Sequence, residues 1–254
     1  MVDGLEVRLD DGVVDVLLDR GEGNLLTVEM CTALSDCLRH PSPDAHVIRL
    51  RARGPSFCLG RERTANDVAA LRSETGALID LNRAIGETRL VTVAEVGGDA
   101  AGFGVGLAAL CDVSIAAPSA GFRFPEVDID LAPVVVLAWL PSLVGRKQAF
   151  HLTATGRRVD ARRAAELGLL TEVAESDDTL EKTVDATVSE LRARSPRVHA
   201  EIGAFLRTRA GLTEAQAYDL ALDKLVLGSM ARRRETGTTD SGREKETGHG
   251  EAPR

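Results

Sequence analysis

Short β-rich runs alternate with helical patterns through roughly the first 178 residues, and after that only helical patterns remain. That order is the strongest constraint on the fold, because strands that return again and again after helices build an α/β core. Leu5–Leu9 and Val13–Leu18 flank Asp10-Asp11-Gly12 and read as a hairpin. A helix is expected over about Thr27–Leu38, with Thr27 as its cap, before Pro41, Ser42 and Pro43 break it. Val47–Ala52 and Val91–Val96 read as strands, each running into a glycine-rich turn, and Val113–Ala117 as another. Helical patterns are expected over about Arg61–Ala70 (towards its end), Ala77–Thr88, Gly102–Leu110, Ala138–Val144, Gln148–Thr153 and Ala161–Leu167. From Thr179 three long amphipathic helices follow, Leu180–Ala193, Val198–Arg209 and Glu214–Met230. The expected organisation is an α/β core over 1–178, a helical region over 179–230, and a polar tail over 231–254 that is disordered or peripheral.

Composition narrows the functional classes. The net charge of −8 and an aromatic content of 3% argue against a basic or base-stacking surface for nucleic acid. No apolar run approaches the ~18 residues of a membrane span. The acidic opening MVDGLEVRLDDG lacks the layout of a signal peptide, so a cytoplasmic location is expected. Cys31, Cys37, Cys58 and Cys111 form no CxxC pair and have no histidine at zinc spacing, so reduced, mostly buried thiols are expected, with no metal. None of His40, His46, His151, His199 and His249 sits in a catalytic motif. The basic pairs Arg146-Lys147, Arg157-Arg158 and Arg162-Arg163 read as a solvated helix face, with ligand phosphate contacts as the sharper alternative.

Chemistry is expected around two turns and one glutamate. Ser56–Arg61 and Gly97–Gly106 each follow a strand, and glycine lets a ligand approach the main chain closely. The second turn opens a helix, whose first N–H groups have no internal acceptor and favour an anionic oxygen. Gly102–Gly106 lacks the spacing of a dinucleotide fingerprint, and glycines that serve only helix–sheet packing are the plainer alternative. Glu126, in Phe122-Arg123-Phe124-Pro125-Glu126-Val127, has apolar neighbours that can raise its pKa toward that of a general acid or base. A solvated loop glutamate is the competing reading. Asp128 and Asp130 share its face only if the segment is extended.

Taken in order, these segments resemble the crotonase superfamily, the enoyl-CoA hydratase/isomerase family, over about residues 5–230. The resemblance is carried by Gly23–Met30, Phe57–Glu62, Gly97–Asp112, Phe122–Val127, Leu152–Arg158 and Ala161–Leu169. It implies a spiral of ββα units with C-terminal helices, assembled as a homotrimer or a dimer of trimers. It also implies an acyl-CoA substrate, with coenzyme A as part of that substrate rather than a cofactor. By the same resemblance the backbone N–H groups of Arg61 and Phe103 form an oxyanion hole, and Asn24, Leu25, Leu59, Gly60, Gly102 and Gly106 lie along the ligand. Glu126 falls on the second of the two glutamates that the family's hydratases use, and the first falls on Gly106, which has no side chain. The aspartate that some members carry eight residues further on is Val134 here. This pattern is closer to the family's double-bond isomerases, with Glu126 as the single general acid/base. Thioester hydrolysis or decarboxylation on the same scaffold, and a non-catalytic acyl-CoA-binding paralogue, are the alternatives. Glu62 and Asp99 flank the turns and are candidates for a second carboxylate. Val134-Val135-Val136 and Phe103 replace smaller residues, so a short or unusual acyl group is expected. Trp139 and Tyr218 are expected in the core or at a subunit interface.

Overall fold

Asp11 and Gly12 both take positive φ, the conformation of a two-residue hairpin turn, and join β1 (Leu5–Asp10) to antiparallel β2 (Val13–Leu18). The computed structural model describes residues 2–235. Helix α1 (Val28–Arg39) starts where the Thr27 side chain accepts the Met30 N–H, a cap worth roughly 1 kcal/mol. Its buried face is Met30, Cys31, Leu34 and Leu38, at helical spacing.

The next three stretches repeat one plan. β3 (Val47–Ala52) and β4 (Ser56–Cys58) lead to α2 (Val68–Glu87); β5 (Val91–Val96) and β6 (Asp99–Ala101) lead to α3 (Phe103–Ala109). β7 (Val113–Ala116) and β8 (Gly121–Arg123) lead to a 3-10 turn, Pro125–Ile129, and the short α4 (Val134–Leu137). The first strand of each stretch joins one sheet and the second joins another. The six-stranded sheet has order β1-β2-β3-β5-β7-β10, the last strand being β10 (Glu172–Val173), and is parallel apart from the opening hairpin. The four-stranded sheet has order β4-β6-β8-β9, with β9 (Val159–Asp160) antiparallel to β8. This is the crotonase-like spiral expected from the sequence.

Between β8 and β10 lie α5 (Leu140–Thr155), kinked at Gly145, and α6 (Ala161–Glu166), capped by the Asp160 side chain. The larger core gathers Phe57, Phe122, Phe124, Leu81 and Leu107 with the inner faces of the strands. A second core forms where Leu180, Val184 and Val188 of α7 (Leu180–Arg192) cover Val47, Val91, Val93 and Ile115 of the large sheet. Contacts divide the chain into two compact units, one through Phe205 and one from Leu206. α8 (Pro196–Arg209) begins in the first, and α9 (Glu214–Glu235) belongs to the second and exposes Leu222, Leu225, Leu227 and Met230.

The structure departs from the sequence expectations at short elements. Both glycine-rich turns contain a three-residue strand, β4 and β6, too brief to give a periodic signal. The helix expected to form after Arg61 and to continue over Ala77–Thr88 is α2, which starts at Val68 with Asp67 as its cap. Residues 231–235, expected in the tail, continue α9; the rest of that expectation, 236–254, lies outside the described residues.

Candidate active site

Parallel pairing of β4, β6 and β8 aligns their carboxyl ends, with Cys58 opposite Ala100 and Ala101 opposite Arg123. Arg61 follows Cys58, Phe103 follows Ala101, and Glu126 follows Arg123, each within three residues. Ligands of parallel sheets bind at such ends. All three residues line one pocket of about 430 Å³, within the range that accepts a small-molecule ligand.

Glycines let the loops close to this distance. A β-carbon on Gly104 would stand 1.9 Å from the Cys58 carbonyl oxygen, so α3 can seat on β4 only without one. Gly102, at φ +53°, donates its N–H to the Arg123 carbonyl, tying the β6 loop to β8. Phe103 opens α3, so its N–H has no partner within the helix. On the other loop, a parallel bridge between Leu26 and Arg61 uses the Gly60 carbonyl and the Glu62 N–H. In such a bridge the intervening N–H, that of Arg61, points to the opposite side.

Glu126 sits at the start of the 3-10 turn with Pro125 before it. A β-carbon on Gly102 would meet its Oε1 at 2.7 Å, while its Oε2 is buried and has no hydrogen-bond partner among the described residues. Burial pushes this carboxyl above its ordinary value, partly offset by a backbone N–H and by Arg63 and Arg123. Asp128 and Asp130 do not join it: Asp128 pairs with Arg123, and Asp130 ends the turn in a left-handed conformation. The turn is not extended, so alternation along it does not apply.

The loop after Arg61 is held from α2. Glu74, buried on that helix, accepts Arg61 Nη1 at 2.6 Å, the Thr64 N–H at 3.0 Å and the Thr64 hydroxyl at 2.7 Å. The Thr64 hydroxyl, then further hydrogen bonds, hold its carboxyl below the ordinary value. Leu71, Thr75 and Leu78 of the same helix line the pocket, and so do Arg63 and Val134–Val136. Leu71, Thr75 and Leu78 follow a one-face helical spacing visible in the sequence. Arg63 and Glu74 have no such signal, since charged residues on polar stretches are ordinary surface features.

The remaining residues singled out from the sequence divide. Leu59, Gly60 and Gly102 line the pocket with Arg61, Phe103 and Glu126. Asn24 does not: it is fully buried at φ +46°, with its side chain bonded to Arg20 N, Arg53 O and Ser56 O. Leu25 is half-buried, and its carbonyl accepts from Arg20. Glu62 makes two 3.0 Å contacts to Arg20, and Asp99 accepts from Arg158 and the Gly121 N–H, so neither carboxylate faces the pocket. Gly106 is buried, and a β-carbon there would meet Trp139 Cζ2 at 3.1 Å. Trp139 is half-buried and also packs against Phe124. Cys58 is buried beside the site, and burial pushes its thiol up to about 12, which rules it out as a neutral-pH nucleophile. Among the described residues no three His, Cys, Asp or Glu side chains are grouped to hold a metal, and no helix is long and apolar enough to cross a membrane.

A family model described as enoyl-CoA hydratase/isomerase matches residues 8–244. The chain belongs to that family. Within this hydratase/isomerase family it is similar to a probable enoyl-CoA hydratase of Rhodobacter capsulatus, 31% identical over 90% of each chain. It is also similar to the enoyl-CoA hydratase ACTT6 of Alternaria alternata, 30% identical over 78% of this chain and 67% of that one. Among solved structures, the enoyl-CoA hydratase of Mycobacterium smegmatis superposes with a TM-score of 0.85 at 26% identity, covering 90% of this chain and 92% of that one. The hydratase/isomerase fold is thus shared nearly end to end.

Proposed function

We propose that this protein isomerises enoyl-CoA thioesters with one carboxylate, Glu126, while the N–H groups of Arg61 and Phe103 receive the thioester oxygen. A 3-enoyl thioester loses a proton from its α-carbon to Glu126. The electron pair moves into the carbonyl to form an extended enolate, and the same proton returns at the far end of the conjugated system as the double bond shifts. Two N–H donors aimed at the developing oxyanion stabilise it, and each is typically worth about 3 kcal/mol or more. A raised carboxyl pKa suits a group that must both take and give a proton near neutrality.

The observation that carries this reading is the Gly106–Trp139 contact. Hydration needs a base for the water and a proton donor for the α-carbon. A side chain at residue 106 would press on the Trp139 indole, and neither Glu62 nor Asp99 lines the pocket in its place. A single carboxylate is enough to move one proton between two carbons. The ligand would run past Leu59 and Leu25, with its acyl group between α2 and Val134–Val136 in a pocket suited to a short chain. On this reading no cofactor beyond the substrate's own coenzyme A takes part, and the protein works in the cytoplasm as a trimer or dimer of trimers.

Parallel assays of 3-enoyl-CoA isomerisation and crotonyl-CoA hydration test this. Isomerisation should exceed hydration, and Glu126→Gln should lower it by about 10²–10⁴. Faster hydration than isomerisation overturns the reading. Tight thioester binding with no turnover of either substrate would instead support a binding protein.

A further inference from the structure

Three charged side chains line the pocket, Arg61, Arg63 and Glu126, and the rest of its wall is mainly apolar, including Leu71, Leu78 and Val134–Val136. The guanidinium of Arg61 is committed to Glu74 at 2.6 Å, where both side chains are largely buried. Arg63 differs. It lines the pocket while remaining exposed to solvent, and it has no ion pair or hydrogen bond to any described residue. Its positive charge is felt at Glu126 without the two forming a pair. Arg63 is therefore a cation held at the acyl pocket and left to water.

An acyl chain entering this pocket displaces that water. With a plain hydrocarbon chain, Arg63 would lose part of its hydration and gain no partner in exchange. With a carboxylate on the chain, the planar guanidinium gains two parallel charge-assisted hydrogen bonds, the geometry arginine forms best. Thr75, one helical turn beyond Leu71, adds a hydroxyl to the same wall. Because Glu74 already occupies Arg61, the anion site is set by Arg63 alone.

We propose that the substrate is an acyl-CoA whose short acyl chain carries a free carboxylate, received by Arg63. This rests on the acyl-CoA reading above and adds the class of acyl group.

The test compares binding of two unreactive ligands of matched length, pentanoyl-CoA and glutaryl-CoA, which differ by a terminal methyl against a carboxylate. Titration calorimetry with the full chain and with Arg63→Met, and with free coenzyme A as a third ligand, reads the preference. The wild type should bind glutaryl-CoA at least tenfold more tightly than pentanoyl-CoA. In Arg63→Met that preference should vanish while pentanoyl-CoA binds as before or better. Equal binding of the two thioesters by the wild type overturns the inference and leaves the acyl-CoA reading standing. So does an equal weakening of both thioesters and of free coenzyme A by Arg63→Met, which would place the arginine on the coenzyme phosphates. Failure of every thioester to bind removes both.

Discussion

The indole of Trp139 stands where a side chain on residue 106 would begin, with Cζ2 3.1 Å and Nε1 3.5 Å from the position of a β-carbon there. One contact therefore accounts for both the empty sequence position and the filled space beside α3. A side chain at residue 106 would require the ring to give way, so restoring a second carboxylate there is coupled to Trp139.

Gly106→Glu should destabilise the fold, because the new side chain must displace a packed ring; overpacking of this kind costs about 1–3 kcal/mol. Adding Trp139→Ala should recover part of that loss. A double-mutant cycle by urea unfolding should give a coupling of about 0.5–3 kcal/mol in the compensating direction. Strict additivity would show that the two positions do not compete for space.

Gly102→Ala combines two faults. Gly102 has φ +53° and ψ −119°, a region costly for any residue with a β-carbon, and the added methyl would press on Glu126 Oε1. A stability loss of about 1–3 kcal/mol is expected, together with a fall in kcat larger than any rise in KM. Unchanged kcat at reduced stability would separate Glu126 from the chemistry.

The pH dependence of Glu126 follows from burial. Its carboxyl titrates above the ordinary glutamate value in the folded protein, so the folded state holds a proton that the unfolded state releases. Stability associated with this group is present below the unfolded value and lost as pH rises through the raised one. Glu126→Gln should therefore raise the melting temperature more at pH 7 than at pH 4, while lowering turnover by the expected factor of about 10²–10⁴. The acidic limb of kcat/KM in the wild type should lie above pH 4.5, the ordinary glutamate value, because only the carboxylate is a base. A melting temperature lowered equally at both pH values by Glu126→Gln would contradict this assignment.

Glu74 acts on the site through the loop it holds. Glu74→Gln keeps the shape but weakens the bonds to Arg61 and Thr64, so the Arg61 N–H should be less well aimed. A loss of kcat of roughly tenfold to a hundredfold is expected, below the full cost of removing an oxyanion donor, with KM changed far less. Glu74→Asp should recover less than Gln if reach matters more than charge. A KM effect with kcat intact would assign Glu74 to ligand binding instead.

Much of the site was legible in the residues themselves. The two glycine-rich turns stand out because glycine after a strand marks a close backbone approach, and Glu126 because proline and aromatic residues surround it; within the turns, Arg61, Phe103, Gly60 and Gly102 are picked out by the family resemblance. The strand–helix alternation and the hairpin at Asp11-Gly12 follow from local chemistry, periodic burial and positive φ, which short segments encode by themselves. Other facts required three dimensions. Asn24 sits in a matching segment, yet two of its three hydrogen bonds reach Arg53 and Ser56, far along the chain, and it supports the loops without lining the pocket. The strands β4, β6 and β8 are too short for any period to reveal, and their pairing alone aligns residues 61, 103 and 126. That Glu74 takes Arg61 and leaves Arg63 to the pocket, and that Trp139 fills the space beside Gly106, depends on which side chains meet after the spiral closes. Sequence determines what each short segment prefers; contacts between distant segments, competing for the same space and the same charge, decide what the site can bind.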